Sequence, residues 1–290
     1  MPAARTAPKL GWLALLWAVL GLVCARYDLV LSQAVVQRDA GWALVGQRFG
    51  ELPGVFAFAL AAAAGYAKPI QLHLPWWQRQ LPWLLCSLGA AVAVALCSYR
   101  LFGHRLSLPE GAVSLAAALV CTRLLRKPLG HGLQFHPDLE RAAAWTVRLG
   151  IWSWLLVSSL KLGWGRVRFR DLQPTADDFT PWYSPQGWTG HASFPSGHAA
   201  LGWLLLTCVL VWPRGSRPYL CALGLCVGWG VFVASSRVII GAHYLSDVLF
   251  STAFAFGVVG YAQRSARAPA ANGSRAQREG LEREVFPAGK

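Results

Sequence analysis

Charged residues are scarce in this chain of 290 residues, at 14% of the sequence, whereas about 25% is typical of globular proteins. The overall composition excludes an intrinsically disordered protein and a collagen-like one. The seven cysteines form no CxxC pair, which argues against a zinc site and against a disulfide framework. Hydrophobic residues reach 55%, more than a soluble core of this size needs. The composition therefore indicates a membrane protein.

Apolar stretches recur along the whole sequence. A helix needs about 20 apolar residues to cross the hydrocarbon core, so the shorter stretches must extend into their flanks or remain re-entrant. We predict an all-α, multi-pass transmembrane helical bundle with six to eight spans. Eight spans use every stretch, and six omit the two weakest, Leu52–Tyr66 and Gly111–Leu125. The other stretches are Leu10–Ala25, Leu81–Tyr99, Ala142–Leu160, Ala199–Trp212, Tyr219–Ala234 and Leu245–Ala262.

The formal net charge of +14 raises nucleic acid as a partner, but the basic residues lie between apolar blocks and form no stripe on a soluble fold. Threading eight spans with the N-terminus in the cytoplasm places most of the 27 Lys and Arg residues inside, as the positive-inside rule favours. The turn Pro213–Pro218, with Arg214 and Arg217, is the clearest cytoplasmic loop. We therefore predict no nucleic-acid partner and a plasma (bacterial inner) membrane location. Segments 161–198 and 236–243 then face the outer side.

The two ends of the chain differ in character. The first apolar stretch lacks a small-x-small cleavage pattern, so we predict an uncleaved first membrane helix. Beyond residue 262 the sequence becomes polar and rich in Arg, Ala, Pro and Glu. We predict a membrane domain over residues 1–262 and a disordered basic cytoplasmic tail over residues 263–290.

Polar residues gather at three places on the predicted outer face. The clusters occupy residues 161–171, 193–198 and 236–247. The first is basic although it lies on the side that the positive-inside rule disfavours, so its charges need another explanation. Because all three clusters share one membrane face, we interpret them as parts of one site. The cations of the first cluster are Lys161, Arg166, Arg168 and Arg170.

The second cluster predicts the anion-binding start of a helix. Pro195 suits the first turn of a helix, and Gly197 lets the backbone approach a ligand. Ser196 adds a hydroxyl donor, and His198 exchanges a proton near neutral pH. A single histidine near a helix end is more commonly structural, so this interpretation depends on the neighbouring clusters.

The third cluster supplies a candidate nucleophile. His243 and Asp247 are four residues apart, so a helix would place them on one face, where the carboxylate fixes the tautomer of the imidazole. The same spacing also occurs in simple helix-face contacts. A histidine held in this way is a better nucleophile or base. Arg237, together with Lys161 and Arg168, offers cations for phosphate oxygens, and the set predicts a phosphoryl-transfer pocket.

The three clusters together resemble the signature of the type 2 phosphatidic acid phosphatase (PAP2) superfamily, in its integral membrane lipid phosphatase branch. One departure is visible, because the family's first motif commonly ends in Arg-Pro and Phe169 follows Arg168 here. Arg166 and Arg170 are therefore alternative ligands for the phosphate. The matching residues are Lys161 with six residues to Arg168, then Pro195-Ser196-Gly197-His198, then Ser236-Arg237 with five residues to His243 and three to Asp247.

The resemblance implies a metal-independent membrane lipid phosphatase that works through a phosphohistidine, with no cofactor. His243 would be the nucleophile, Asp247 its activator, and His198 the general acid and base. The phosphate oxygens would be held by Lys161, Arg168, Ser196, Gly197 and Arg237. The expected partners are membrane lipids and a lipid phosphate: phosphatidic acid, phosphatidylglycerol phosphate, undecaprenyl diphosphate or a lipid A phosphate. A lipid phosphotransferase and a non-catalytic phosphate-lipid-binding membrane protein are the alternatives.

Overall fold

The computed structural model describes residues 10–67, 107–134 and 137–265, with scattered positions between residues 75 and 99. Over these residues the chain is helical and contains no strand. Two 3-10 helices, Phe169–Asp171 and Trp203–Val211, join the α-helices. The α-helices are α1 (Leu10–Val35), α2 (Gly41–Phe49), α3 (Leu52–Ala67), α4 (Leu108–Gln134), α5 (Pro137–Trp164), α6 (Gly197–Gly202), α7 (Arg217–Ile239) and α8 (Leu245–Ser265).

Three of the described helices are long and apolar enough to cross a membrane: Ala14–Val35 within α1, then α7 and α8. The outer surface of α1 is strongly apolar, with Trp12, Leu22 and Val30 each more than half exposed. Exposed apolar side chains along a whole helix suit lipid tails and not water. The predicted all-helical transmembrane bundle is therefore confirmed.

Several predicted stretches have different bounds in the structure. The first helix continues ten residues past Ala25, to Val35. The stretch Ala199–Trp212 is not one α-helix, because α6 ends at Gly202 and a 3-10 helix follows. The weak stretch Leu52–Tyr66 corresponds to α3, whose 16 residues span about 24 Å, less than the hydrocarbon core. The stretch Leu81–Tyr99 lies only partly within the described residues, and the count of six to eight spans stays a prediction.

The core forms where α5, α7 and α8 pack around the segment Gly197–Val211. Trp203 and Leu204 are buried there against Leu149 of α5 and Ala255 of α8. A polar contact also lies inside this apolar core. The hydroxyl of Thr207 lies 2.6 Å from that of Thr146 on α5 and donates to the carbonyl of Leu204. Since each hydroxyl has a partner, its burial costs little.

Helix α7 runs from one end of the bundle to the other. Its N-terminus follows the turn at residues 213–216, where the Ser216 hydroxyl accepts the N–H of Tyr219. Its 23 residues rise about 33 Å to Ile239, next to the third polar cluster. The arginine-rich turn and the polar clusters therefore lie at opposite ends of α7.

The segment between α5 and α6 has little regular structure, yet several contacts fix it. Phe194 stacks on Trp164 and on Trp182, with ring centroids 5.0 and 6.5 Å apart. The indole N–H of Trp182 donates to the carbonyl of Gly21 on α1, at 3.1 Å. These contacts hold the segment against α1 and across the end of the bundle. At the other boundary α8 continues to Ser265, and the predicted tail after that residue lies outside the described residues.

Candidate active site

The site is built around His243 and Asp247. His243 lies two residues before α8, and Asp247 lies in its first turn, so the pair spans the start of the helix instead of sharing one helical face as the spacing predicted. Nδ1 of His243 is 3.2 Å from Oδ2 of Asp247. The same oxygen accepts the backbone N–H of Tyr244 at 3.1 Å. The carboxylate thus orders the turn before α8 and the imidazole together.

Other groups fix the Asp247 carboxylate in turn. Ser193 donates its hydroxyl to Oδ2 at 2.6 Å, and Arg166 donates Nη1–H to Oδ1 at 2.6 Å. The backbone N–H of Ser196 donates to the carbonyl of Asp247 at 3.1 Å. Asp247 is fully buried, and both of its carboxylate oxygens are hydrogen-bonded. The second polar cluster is therefore joined directly to the third.

Arg166 lies beneath this carboxylate, with 1% of its surface exposed. Nη2 forms an ion pair with Asp28 of α1 at 2.9 Å, and the guanidinium lies 3.9 Å from the ring centroid of Tyr244. Nε donates to the carbonyl of Thr180 at 2.9 Å. The sequence left Arg166 open as a phosphate ligand, but the structure buries it between two carboxylates.

Asp28 was not among the residues singled out from the sequence. It is 1% exposed, and its carboxylate accepts both the backbone N–H and the hydroxyl of Ser246 as well as Arg166. An ionisable residue inside an apolar helix is itself a sign of function, and that sign was available in α1. The partners of Asp28 could not be identified from the sequence, because Arg166 and Ser246 are 138 and 218 residues away along the chain.

The predicted cations converge from three elements. Lys161 lies at the end of α5, and its Nζ is 3.9 Å from the position that a Cβ of Gly197 would take. Its charge interacts with those of Arg168 and Arg237. Arg237, at the end of α7, is buried, and its carbonyl accepts the N–H groups of Ala242 and His243. Lys161, Arg168 and Arg237 are therefore grouped near His243.

Arg170 lies apart from this group. Its side chain is part-exposed and pairs with Asp171 at 3.7 Å, while its backbone N–H donates to the carbonyl of Gly241. The neighbouring aromatic residue, Phe169, packs edge-on against Tyr244. Alternate arginines of this run thus have different surroundings: Arg166 is buried, Arg168 lies near Lys161, and Arg170 faces outward.

The second cluster begins a helix as predicted, but the position of Pro195 relative to that helix differs from the prediction. Pro195 does not occupy the first turn; it follows a cis peptide bond with Phe194, and Ser196 caps α6 by accepting the N–H of Ala199 at 3.4 Å. Gly197 is the first helical residue. His198 follows it, with 21% of its side chain exposed. The Nε2 atom of His198 is 3.3 Å from Oε2 of Glu51.

Glu51 is a second carboxylate that the sequence did not single out. It immediately precedes α3 and is 5% exposed. An acidic residue before an apolar helix commonly interacts with the helix dipole, so its sequence position alone carried no functional signal. Glu51 and Asp28 both come from the N-terminal part of the chain, whereas every residue predicted for the site lies between Lys161 and Asp247.

Burial governs the protonation of His243. It lowers the pKa of the imidazole from its ordinary value to about 4; the bond to Asp247 opposes this shift, and the charges of Arg237 and Lys161 add to it. The ring is therefore neutral at physiological pH. With Nδ1 directed at Asp247, the unprotonated nitrogen is Nε2, which is the form that a nucleophile requires.

No group of three or more His, Cys, Asp or Glu side chains is arranged to hold a metal ion within the described parts of the chain. The acidic residues close to the two histidines are Glu51, Asp247 and, beyond Arg166, Asp28. Each has a histidine or an arginine partner. The prediction of a metal-independent reaction is left to a chelator experiment.

Known proteins match the part of the chain that carries the motifs. Residues 143–268 match the family model of the PAP2 superfamily. A curated relative from Rhizobium etli, named lipid A 1-phosphatase, is 37% identical over 111 residues, which cover 36% of this chain and 41% of the relative. No solved structure matches the chain significantly. The three motifs and the buried histidine–aspartate pair fall inside the matched residues, so the part of the chain that carries the candidate site is similar to the PAP2 superfamily.

Proposed function

We propose that this protein is a membrane lipid phosphatase that works through a phosphohistidine on His243. The observation that carries the proposal is the buried, neutral imidazole whose Nδ1 is held by Asp247 while Lys161 and Arg237 lie close by. A neutral nucleophile surrounded by cations suits attack on an anionic phosphate. The match of residues 143–268 to the PAP2 superfamily supports the same chemistry.

In the first step Nε2 of His243 attacks phosphorus. The N–P bond forms as the bond from phosphorus to the leaving lipid oxygen breaks, and His198 transfers its proton to that oxygen. The imidazole ring becomes positively charged, and the adjacent Asp247 carboxylate stabilises this charge. Arg166 and Ser193 keep that carboxylate in place throughout.

In the second step water replaces the histidine. Neutral His198 takes a proton from a water molecule as the water oxygen attacks phosphorus. The N–P bond breaks, inorganic phosphate leaves, and His243 returns to its neutral form. The protonated His198 is then ready for the next substrate, so the cycle needs no further acid or base.

The phosphate oxygens would contact Lys161, Arg168 and Arg237 together with the Ser196–Gly197 backbone. The Ser196 hydroxyl accepts the N–H of Ala199, so its own hydrogen remains able to donate to an anion. Because charge shifts among the phosphate oxygens during transfer, preorganised cations lower the barrier most effectively. Metal ions are not required in this scheme.

A lipid substrate is supported by the position of the site at the ends of apolar helices and by the name of the relative, lipid A 1-phosphatase. We propose that the substrate is a lipid phosphomonoester or diphosphate. The candidates are phosphatidic acid, phosphatidylglycerol phosphate, undecaprenyl diphosphate and a lipid A phosphate. A panel of these lipids, assayed for phosphate release, identifies the class. Labelled substrate mixed with lipid acceptors separates hydrolysis from transfer to another lipid.

The central test compares His243→Ala with the wild type in EDTA. We expect the wild type to release phosphate in the chelator and the variant to release none above background. His191→Ala is the matched control, because His191 is an exposed histidine in the same outer segment and should be dispensable. Full activity of His243→Ala would overturn the nucleophile assignment. Phosphate-lipid binding without turnover by the wild type would favour a non-catalytic protein.

We also propose that the site faces the outer side of the bacterial inner membrane. Gln186 is exposed in the segment above the site, and Arg214 is exposed in the turn at the other end of α7. In intact cells a membrane-impermeant thiol reagent should label Gln186→Cys above the wild-type background and should not label Arg214→Cys. The reverse labelling would overturn the orientation.

A further inference from the structure

The general acid His198 has its own carboxylate partner. Oε2 of Glu51 is 3.3 Å from Nε2 of His198, which is within ion-pair distance. Glu51 is 5% exposed, whereas the His198 side chain is more open, at 21%. A buried carboxylate is costly unless it has charged or hydrogen-bonding partners, so its position against the imidazole needs a reason.

Close backbone packing fixes where Glu51 can lie. A Cβ at Gly50 would come within 2.9 Å of Val233 on α7, and one at Gly54 would collide with the carbonyl oxygen of Leu201 on α6. Gly50 and Gly54, which flank Glu51, can approach α7 and α6 this closely only because they have no side chain. The start of α3 is pressed directly against the helix that carries His198. The carboxylate is therefore preorganised and not a mobile surface group.

We propose that Glu51 is a positioning residue for the proton transfers of His198, an inference that rests on the proposed function. The carboxylate accepts the Nε2–H of His198 and leaves Nδ1–H as the proton that the leaving oxygen receives. It also stabilises the charged imidazole before each turnover. The site then contains two histidine–carboxylate pairs, His243 with Asp247 for the nucleophile and His198 with Glu51 for the acid.

The proton balance follows from this arrangement. As the bond from phosphorus to the lipid oxygen breaks, Nδ1–H of His198 protonates that oxygen and His198 becomes neutral, with Nε2–H still directed at Glu51. When water attacks the phosphohistidine, Nδ1 recovers a proton from the water. Glu51 neither donates nor receives a proton in these steps, so it acts by orienting the His198 ring.

A structural role for Glu51 makes a different prediction. A carboxylate just before α3 also stabilises the positive end of the helix dipole, and such a role would affect folding and every substrate equally. A role through the acid proton depends instead on the leaving group. An alkyl alcohol needs that proton to leave, whereas a nitrophenol leaves readily without it.

The experiment uses the full-length protein in detergent and two phosphates with the same alkyl chain. One phosphate is esterified to an alkyl alcohol and the other to a 4-nitrophenol. For Glu51→Gln we expect kcat/KM to fall about 10- to 100-fold on the alkyl phosphate, a part of the 10²–10⁴-fold that general acid catalysis supplies, and less than about threefold on the aryl phosphate. Glu51→Asp, which keeps the charge, should show the same selectivity with a smaller loss.

Two control variants make the result decisive. Asp177→Asn removes an exposed carboxylate of the outer segment and should leave both reactions unchanged. His198→Ala should show the leaving-group selectivity in a stronger form. Equal losses on both substrates, or no loss in Glu51→Gln, would overturn the proposal; if Glu51→Gln does not fold, Glu51→Asp decides by the same criterion. Absence of turnover by the wild type on both phosphates would instead reject the proposed function on which it rests.

Discussion

The two sides of His243 differ sharply in exposure. Behind the ring, Asp247, Arg166 and Asp28 form a chain of ion pairs in which every member is at most 1% exposed. In front of it, Lys161, Arg168 and His198 are all partly accessible. On the buried side, ion pairs between protein side chains compensate for the loss of hydration. The open, more accessible side carries Lys161 and Arg168, which we propose as phosphate ligands.

The difference in exposure shows that arginines close together in sequence can have different surroundings. Arg166 and Arg168 are separated by a single buried residue, Val167, yet Arg166 holds the Asp247 carboxylate and Arg168 lies among the proposed phosphate ligands. In extended backbone successive side chains point in opposite directions, but residues two apart point the same way. The two arginines nevertheless differ in burial, and they lie in a segment without regular structure that follows Gly165, which has a φ of 55° and approaches the carbonyl of Gly187 too closely for any side chain.

The largest expected effect comes from the buried side. Asp247→Asn removes the acceptor that fixes the tautomer of His243 and the charge that balances the phosphohistidine. We expect kcat to fall by about 10³- to 10⁴-fold, as for other histidines that lose an orienting carboxylate. Asp171→Asn, at an exposed carboxylate of the segment between α5 and α6, is the control. A loss of less than tenfold in Asp247→Asn would show that the carboxylate is not part of the nucleophile.

A matched pair of arginine variants tests the contrast itself. Arg166→Met leaves Asp28 and Asp247 buried without their cation, and we expect the free energy of unfolding to fall by about 3–5 kcal/mol. Arg168→Met removes a part-exposed cation, so Tm in detergent should hardly change while kcat/KM falls by about 100-fold. Thermal denaturation and phosphate release, measured on both proteins, separate the two roles. Equal loss of stability in the two variants would abolish the distinction between the buried and the open side.

The smallest expected effect is the pH dependence of stability. In the unfolded chain His243 takes up a proton near its ordinary pKa of 6.5. In the folded protein burial lowers the pKa of the His243 imidazole to about 4. As the pH falls through this window the unfolded state gains protons that the folded state lacks, so the free energy of unfolding decreases, by up to about 3 kcal/mol. The Tm of the wild type should fall from pH 6.5 to 4. His243→Gln should flatten the difference; an unchanged slope would contradict the neutral, buried imidazole.

Much of the fold could be predicted from the sequence, because apolar stretches long enough to cross a bilayer leave few alternatives to helices. The predicted helices over α3, α7 and α8 lie close to their observed positions. The stretch 199–212 is helical as predicted, but its change from an α-helix to a 3-10 helix could not be predicted, because the apolar composition is the same in both. Composition records hydrophobicity and not the hydrogen-bond pattern of the backbone.

For the candidate site, the sequence predicted its histidines, its cations and Asp247, but it did not single out the other two carboxylates. Asp28 and Glu51 belong to no motif and lie outside the region that matches the superfamily. Each meets its partner across more than 130 residues of chain. Such pairings depend on how α1 and α3 dock on the bundle, which no local pattern encodes.

The sequence by itself determined the membrane class, through an excess of apolar over charged residues, and the eight residues proposed for phosphate chemistry, through their types and spacings. Only the tertiary structure decided that Arg166 is buried between two carboxylates while Lys161 and Arg168 stay partly accessible. The physical reason is that desolvation depends on every element packed around a side chain. Two arginines of identical chemistry thus acquire different roles, Arg166 beneath Asp247 and Arg168 beside Lys161.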